Sequence, residues 1–490
     1  MKKLIAFLFS IFILGINGFS QGRLTNVKTK KFKTSEKLKI EGSIGFLTVP
    51  ENRNDPESRE IQVKFVHLKS IADAPLAPVV YLEGGGGTST WQAESPRDLQ
   101  DWMEILEVSD LIFMDRRGSY DDDLTYIWQG DYPEAFWMSE DAANRHYAQM
   151  TEQALKTFES RAVDVSGYNI VEEAHDVHDL MSALEIERYS ILGFSFGSHI
   201  GMTVMHLFPD EIDRAILAGS DAPDQALNFP RYLDAHILML GEMVKQDEQL
   251  SASIPDFPAL VDRVMDNLAE QPATISVQNP LTGKDMNLAI GPFGFGLILR
   301  LDIDDANDIP AIPRLMYSME QGDYSMLEWF AQKRIVFSLA VPGQGIHQQL
   351  ASGVTDARWA QIVQEAEASR FGNVVNFPFS AAKDHWIAID LPQEMPIHLK
   401  TDIPTLFITG TLDCRTPVAQ VEETMQGFSN AVHIRVEGAG HEQALWQRET
   451  FDELIPLFLR GGTVTKTMTK YRAIKFIPVE GTTSDHPSIR

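Results

Sequence analysis

The clearest pattern along the chain is a series of short runs in which every position, or every second one, is apolar. "IGFLTV" (44–49) and "IQVKFVHL" (61–68) alternate, as strands with one solvated face do, and they suit an antiparallel hairpin. "PVVYLE" (78–83), "LIFM" (111–114), "YSIL" (189–192) and "RAILAG" (214–219) are continuously apolar, as strands covered on both faces are. "PTLFIT" (404–409) and "VHIRV" (432–436) follow late in the chain. Between these eight runs lie segments of helical period, among them "NIVEEAHDVHDLMSALEI", "SHIGMTVMHLF" and "ETFDELIPLFLR". The alternation predicts an α/β fold with a mostly parallel eight-stranded sheet covered by helices on both sides.

From Asp221 to His398 strand signals thin out and helical runs such as "RYLDAHILMLGEMVKQ" and "ALVDRVMDNLAEQ" follow one another. This segment interrupts the sheet pattern and is expected to form a helical insertion, residues 221–398, over one edge of the core. The core then comprises residues 21–220 and 399–462, with a tail at 463–490. Residues 1–20 carry Lys2 and Lys3 ahead of an apolar run from Leu4 to Ile16 and then small and polar residues, which reads as a secretory signal peptide. The run is short for a bilayer span, and no later stretch reaches spanning length without charges. The mature chain is therefore expected to be exported, periplasmic or secreted, without stable membrane association.

A formal charge of -27 repels nucleic acid and anionic lipid and removes those partners from consideration. The single cysteine, Cys414, has no partner for a disulfide, so the fold must hold by its core.

The chemistry centres on "ILGFSFGSHIG" (191–201), where Ser195 sits between Gly193 and Gly197 at a strand-to-helix junction. In such an elbow the nucleophile takes a strained backbone conformation, and the residues two before and two after it must be small. A serine hydroxyl needs a base, and the base an orienting carboxylate. The expected chain order is serine, acid, histidine, and Asp413 in "GTLDCRTP" and His441 in "EGAGHEQ" follow the two late strands in that order. Asp221, just after "RAILAG", is an alternative acid. The tetrahedral oxyanion needs donors, for which the backbone N–H of Phe196 and one from "YLEGGGGTST", Gly85 first and Gly86 next, are the candidates.

Two other patterns are set aside. "HDVHD" (175–179) places His175 and His178 one turn apart on a core helix, and "DIDDAND" (302–308) resembles a calcium loop in acidity alone. Neither a metal nor an organic cofactor is expected.

These residues make the chain resemble α/β-hydrolases of the prolyl and tripeptidyl aminopeptidase type, the TAP-like serine hydrolases. "GFLTVPENRNDP", "LEGGGGTS" for the family's Gly-Gly-Pro-Gly, "DRRGSYDD" (115–122) for its Asp-Gln-Arg-Gly, "GFSFGS", "IPTLFITGTLDCRTP" and "GAGH" carry the resemblance. It implies an α/β-hydrolase fold with a helical cap inserted after the sixth strand. It also implies Ser195, Asp413 and His441 as a triad, and Asp115 with Arg117 as support for the glycine loop. The departures are Gly86 in place of the family's proline, Cys414 where a proline is usual, and "GIHQQLASGVTD" (345–356), which lacks the cap glutamate that holds a substrate ammonium. Asp302, Asp304 and Asp384 are the acids that could replace it. The implied activity is cleavage of peptide bonds at or near the N-terminus of small peptides through an acyl-enzyme. A carboxylesterase with the same machinery is the alternative, and a non-catalytic binding protein of the same fold is a third reading.

Overall fold

The computed structural model describes residues 22–85, 87–119, 124–389 and 398–479. The signal-peptide reading of residues 1–20 and the donor Gly86 therefore fall outside the described residues.

Fourteen strands are formed among the described residues. They are β1 (Arg23–Lys33), β2 (Lys39–Pro50), β3 (Glu60–Leu68), β4 (Leu76–Leu82), β5 (Ser109–Met114), β6 (Thr125–Ile127), β7 (Tyr189–Phe194), β8 (Ile212–Ala218), β9 (Ala273–Gln278), β10 (Asp285–Ile290), β11 (Ala340–Pro342), β12 (Thr405–Gly410), β13 (Ala431–Glu437) and β14 (Met468–Lys470). Ten of them build one sheet in the order β1-β2-β3-β5-β4-β7-β8-β12-β13-β14. The pairs from β1 to β5 are antiparallel, and every pair from β5 through β4 to β14 is parallel.

The sheet thus has ten strands where eight apolar runs were legible. The additions are its two edges, and each lacks an apolar signal for a physical reason. β1, "RLTNVKTKKFK", is exposed at most positions and carries Lys28, Lys30, Lys31 and Lys33, which discourage pairing with another chain. β14 is three residues long and pairs in parallel with β13, so part of the tail joins the core. The tail then continues along the insertion, with Ile477 N–H donating to Pro310 O at 2.9 Å.

The central strands bury both faces because successive side chains point to opposite sides. Val80, Ile191, Leu217 and Phe407 face one core, while Tyr81, Leu192, Ile216 and Leu406 face the other. Parallel neighbours need crossovers. Helix Phe196–Leu207 links β7 to β8, and helix Val418–Met425 links β12 to β13.

Between β8 and β12 the chain forms the predicted run of helices. In Phe257–Glu270 the buried residues Phe257, Leu260, Val261, Val264, Met265 and Leu268 repeat at helical spacing, and the Asp256 side chain caps the start by accepting from Ala259 N–H. The segment is not wholly helical: β9 and β10 form an antiparallel hairpin, and β11 pairs with β6. That second pairing fastens the insertion to the loop after β5. Among the described residues no helix is long and apolar enough to cross a membrane.

One face of the sheet is closed by Trp102, fully buried, whose ring centroid lies 4.7 Å from Tyr81, 5.1 Å from Phe113 and 5.4 Å from Phe451. Trp102→Ala should lower the unfolding free energy by about 3–5 kcal/mol. Urea denaturation checks this, and a loss under about 1 kcal/mol would show that these ring contacts are not what closes that face.

Candidate active site

Ser195 follows β7 and precedes helix Phe196–Leu207 with φ 52° and ψ -124°, a conformation that a side-chain-bearing residue adopts only under strain. Both flanking glycines are required. A Cβ on Gly197 would lie 2.0 Å from Leu82 O, and one on Gly193 would lie 2.6 Å from Gly197 O. The turn is held by Ser195 N–H donating to Ala218 O at 2.9 Å and by Ser198, whose N–H and hydroxyl both donate to Ser195 O at 2.8 and 2.6 Å.

Asp413 and His441 are brought to this elbow by the ends of β12 and β13. His441 Nε2 stands 2.9 Å from Ser195 Oγ, and Nδ1 stands 2.8 Å from Asp413 Oδ2. With Nδ1–H donating to the carboxylate, Nε2 is left to accept the serine proton. The other carboxylate oxygen, Asp413 Oδ1, accepts from Arg415 N–H at 3.0 Å and Thr416 N–H at 2.8 Å. Burial pushes the Asp413 carboxyl up, yet the facing imidazole, the Arg415 charge and the Thr416 hydroxyl hold it below the ordinary carboxylate range. Burial likewise pushes His441 down, and the Asp413 charge outweighs it, so the imidazole sits above the ordinary histidine value.

The alternative acid lies near the imidazole without taking its Nδ1, which faces Asp413. Asp221 does lie at the end of β8, but its carboxyl accepts from the Gln420 amide, and burial pushes it up to about 8. Thr416 was not picked out from the sequence. Its hydroxyl donates to Asp413 Oδ2 and lies 3.1 Å from His441 Nδ1, so it braces the acid–base pair; its place three residues after the acid is the signal that could have found it.

Around the oxyanion position the glycine loop comes close to the serine. A Cβ on Gly84 would meet Ser195 Cβ at 2.9 Å, while one on Gly85 would meet nothing within 4 Å, so space opens at Gly85. Phe196 supplies the first N–H of the helix, where the dipole favours negative charge.

Asp115 holds the residues that follow the glycines: Oδ1 accepts from the N–H groups of Ser89 and Thr90 at 2.6 and 2.8 Å, and Oδ2 from the Thr90 hydroxyl at 2.8 Å. The expectation for Arg117 needs correction. Its guanidinium turns away from the glycines to Asp176, at 2.7 and 2.8 Å, and to Glu51 O at 2.7 Å, because Asp176, Glu172 and Arg53 form a buried charge cluster beneath the turn. The neighbouring Arg116 reaches the loop instead, donating to Gly84 O at 3.0 Å.

Two of the acids proposed for a substrate ammonium, Asp302 and Asp304, are also corrected. Asp302 is paired with Lys333 at 3.0 Å and Arg334 at 2.8 Å, and Asp304, fully buried, with Arg415 at 3.0 Å. Their charges are already met within the protein. Asp384 is exposed in the turn Lys383–His385. Of the patterns set aside earlier, His178 pairs with Glu211 at 2.7 Å and stacks on Phe208. Among the described residues no group of three or more His, Cys, Asp or Glu could hold a metal ion. Cys414 is buried, its Sγ 3.6 Å from Asp304 Oδ2.

Comparison with known proteins agrees with this architecture. The family model described as the α/β hydrolase fold matches residues 77–291, which hold the elbow, and a fold-and-site combination of this kind defines an α/β hydrolase. The model described as TAP-like protein matches residues 384–470, which hold Asp413 and His441, so the two matches together support a TAP-like α/β hydrolase. An uncharacterized protein of Mycobacterium tuberculosis is 34% identical over 62 residues, 13% of this chain and 18% of its own length. The chain thus spans less than a fifth of that curated relative. Among solved structures, a bromoperoxidase from Bacillus anthracis is 16% identical with a TM-score of 0.36, over 85% of this chain and 99% of its own. An esterase from Exiguobacterium antarcticum is 14% identical with a TM-score of 0.36, over 88% and 100%.

Two outcomes follow for the site. Since the base must be neutral to accept a proton and its pKa is raised, kcat/KM should increase with pH through a midpoint above about 6.5. Asp413→Asn should shift the midpoint down and lower kcat about 10³–10⁴-fold, as loss of the orienting carboxylate does elsewhere; a pH–rate profile of both proteins with an uncharged ester is the measurement, and a midpoint at or below 6.5 in the unsubstituted protein contradicts the geometry. Arg117→Ala, by contrast, should cost on the order of 3 kcal/mol in urea denaturation and leave kcat per folded molecule unchanged. A fall in kcat without a fall in stability would restore Arg117 to the loop.

Proposed function

We propose that this protein is an exported serine hydrolase that transfers acyl groups to water through an acyl-enzyme, with peptide bonds at or near the N-terminus of small peptides as its substrates. The observation that carries the reading is the continuous chain from Asp413 through His441 to Ser195 Oγ, with links of 2.8 and 2.9 Å.

In this reading His441 Nε2 takes the proton as Ser195 Oγ bonds to the scissile carbonyl carbon, and the developing oxyanion is held by the N–H groups of Phe196 and Gly85. Collapse breaks the bond to the leaving amine, which receives the proton from His441. Water then enters by the same route, giving its proton to His441 and its oxygen to the acyl carbon, and Ser195 recovers its hydrogen. Asp413 keeps its charge throughout and stabilises the imidazolium.

The TAP-like match supports a peptide substrate. A specific observation favours the carboxylesterase as second reading: Asp302 and Asp304 are occupied by cations, and a desolvated ammonium without a carboxylate is costly.

A fluorophosphonate probe should label the protein, and Ser195→Ala should abolish both labelling and turnover; labelling that survives the substitution would remove Ser195 as nucleophile. Turnover of alanyl- and prolyl-arylamides supports the peptidase. Hydrolysis of p-nitrophenyl esters without arylamide cleavage leaves the esterase. Export is checked by the N-terminus of the protein recovered outside the cytoplasm, expected near residue 21.

A further inference from the structure

The two N–H groups assigned to the oxyanion come from separate segments. Phe196 opens a helix packed on the sheet, whereas Gly85 belongs to four consecutive glycines with no side chain to anchor them. Donors act on a developing charge when both aim at one position about 2.7–3.1 Å away, so something must hold the loop in register with the helix.

Arg116 touches both. Its Nη1 donates to Gly84 O at 3.0 Å, its backbone N–H donates to Gly87 O at 2.8 Å, and its guanidinium carbon lies 4.4 Å from the centre of the Phe196 ring. Gly84 and Gly87 bracket Gly85, so the donor is gripped on both sides. Gly87 has φ +70°, and a Cβ there would come within 2.9 Å of Arg116 Cδ, so the arginine stem is packed against the loop backbone.

The rest of the guanidinium faces a core helix and the insertion. Nε donates to Glu173 Oε1 at 3.0 Å, and Nη2 donates to Gln348 Oε1. Gln348 in turn donates to the same Glu173 oxygen, closing a ring of three buried side chains. Glu173 belongs to helix Ile170–Ala183 beside the sheet, and Gln348 to helix Gly343–Ser352 of the insertion.

We propose that Arg116 is a positioning residue for oxyanion stabilisation, holding the Gly85 and Phe196 N–H groups in mutual register, and that Gln348 makes this register depend on the insertion being seated. The proposal rests on the reading of Ser195 as nucleophile. An arginine is needed because three partners in different directions and a ring face must be met by one rigid planar group, which the point charge of a lysine cannot do.

The test compares the mature protein with Arg116→Ala, Arg116→Lys and Gln348→Leu. Arg116→Ala should lower kcat about 10²-fold on a p-nitrophenyl ester, the scale of losing an oxyanion donor, with KM within about threefold. Arg116→Lys should recover less than about a tenth of the lost rate, and Gln348→Leu should lower kcat about tenfold. Affinity for a boronic acid that forms a tetrahedral adduct should fall in step with kcat, which a general loss of stability would not produce. Hydrogen exchange of the free protein over residues 83–89 should accelerate about tenfold in Arg116→Ala. Unchanged kcat and unchanged exchange overturn the proposal. Should Arg116→Ala fail to fold, Gln348→Leu, which keeps the Arg116–Glu173 pair, decides the matter by the same two readouts. Absence of ester turnover in the unsubstituted protein would defeat the Ser195 reading, while the exchange comparison would still judge Arg116.

Discussion

The site depends on two places where backbone lies against backbone at distances that exclude any side chain. At Gly197 a Cβ would intrude to 2.0 Å from Leu82 O, and at Gly440 to 1.8 Å from Asp304 O. The first contact lets helix Phe196–Leu207 start directly over the end of β4, which forces Ser195 into positive φ and turns its hydroxyl outward. The second lets the loop before His441 lie on the insertion. A residue strained in this way costs about 1–3 kcal/mol, and it persists because the surrounding strands over-determine it. Here β7 is buried along its whole length, and the carbonyl of Ser195 is held twice by Ser198.

Electrostatics then divides the buried acids near the elbow by what faces them. Asp413 has an imidazole and three donors and is held charged, whereas Asp221, two residues beyond a glycine that packs on the His441 ring, has an amide and is pushed toward its neutral form. The same residue type at two adjacent strand ends therefore carries different charge. This separation keeps one carboxylate, rather than two repelling ones, beside the imidazole.

The strand-to-helix elbow, the order of Ser195, Asp413 and His441, and the central strands were legible because each leaves a local mark: paired glycines, continuous apolar runs, polar residues at strand ends. β1 was not, since an edge strand rich in lysine resembles solvated loop. Nor could the sequence distinguish Arg116 from Arg117, because which of two adjacent arginines faces the glycines is set by the direction of the turn at Gly118, with φ +80°, and by the acids awaiting each on helix Ile170–Ala183. The acids Asp302 and Asp304 were misjudged for a related reason: a carboxylate looks available until its partners, Lys333, Arg334 and Arg415, are located in space.

Those ion pairs change what the insertion is. His441 N–H donates to Asp304 O at 3.3 Å, Asp304 Oδ2 accepts from Arg415 Nε at 3.0 Å, and Gln443 holds Ala306 N–H and Asp305 at 3.0 Å each. The loop 302–308 is thus a structural floor for the base, bonded to the residues on either side of it. An insertion fastened at this loop, at β6–β11 and at Arg116–Gln348 cannot swing as a rigid lid without breaking the contacts that position His441 and the glycine loop. These attachments make the insertion part of the site's framework.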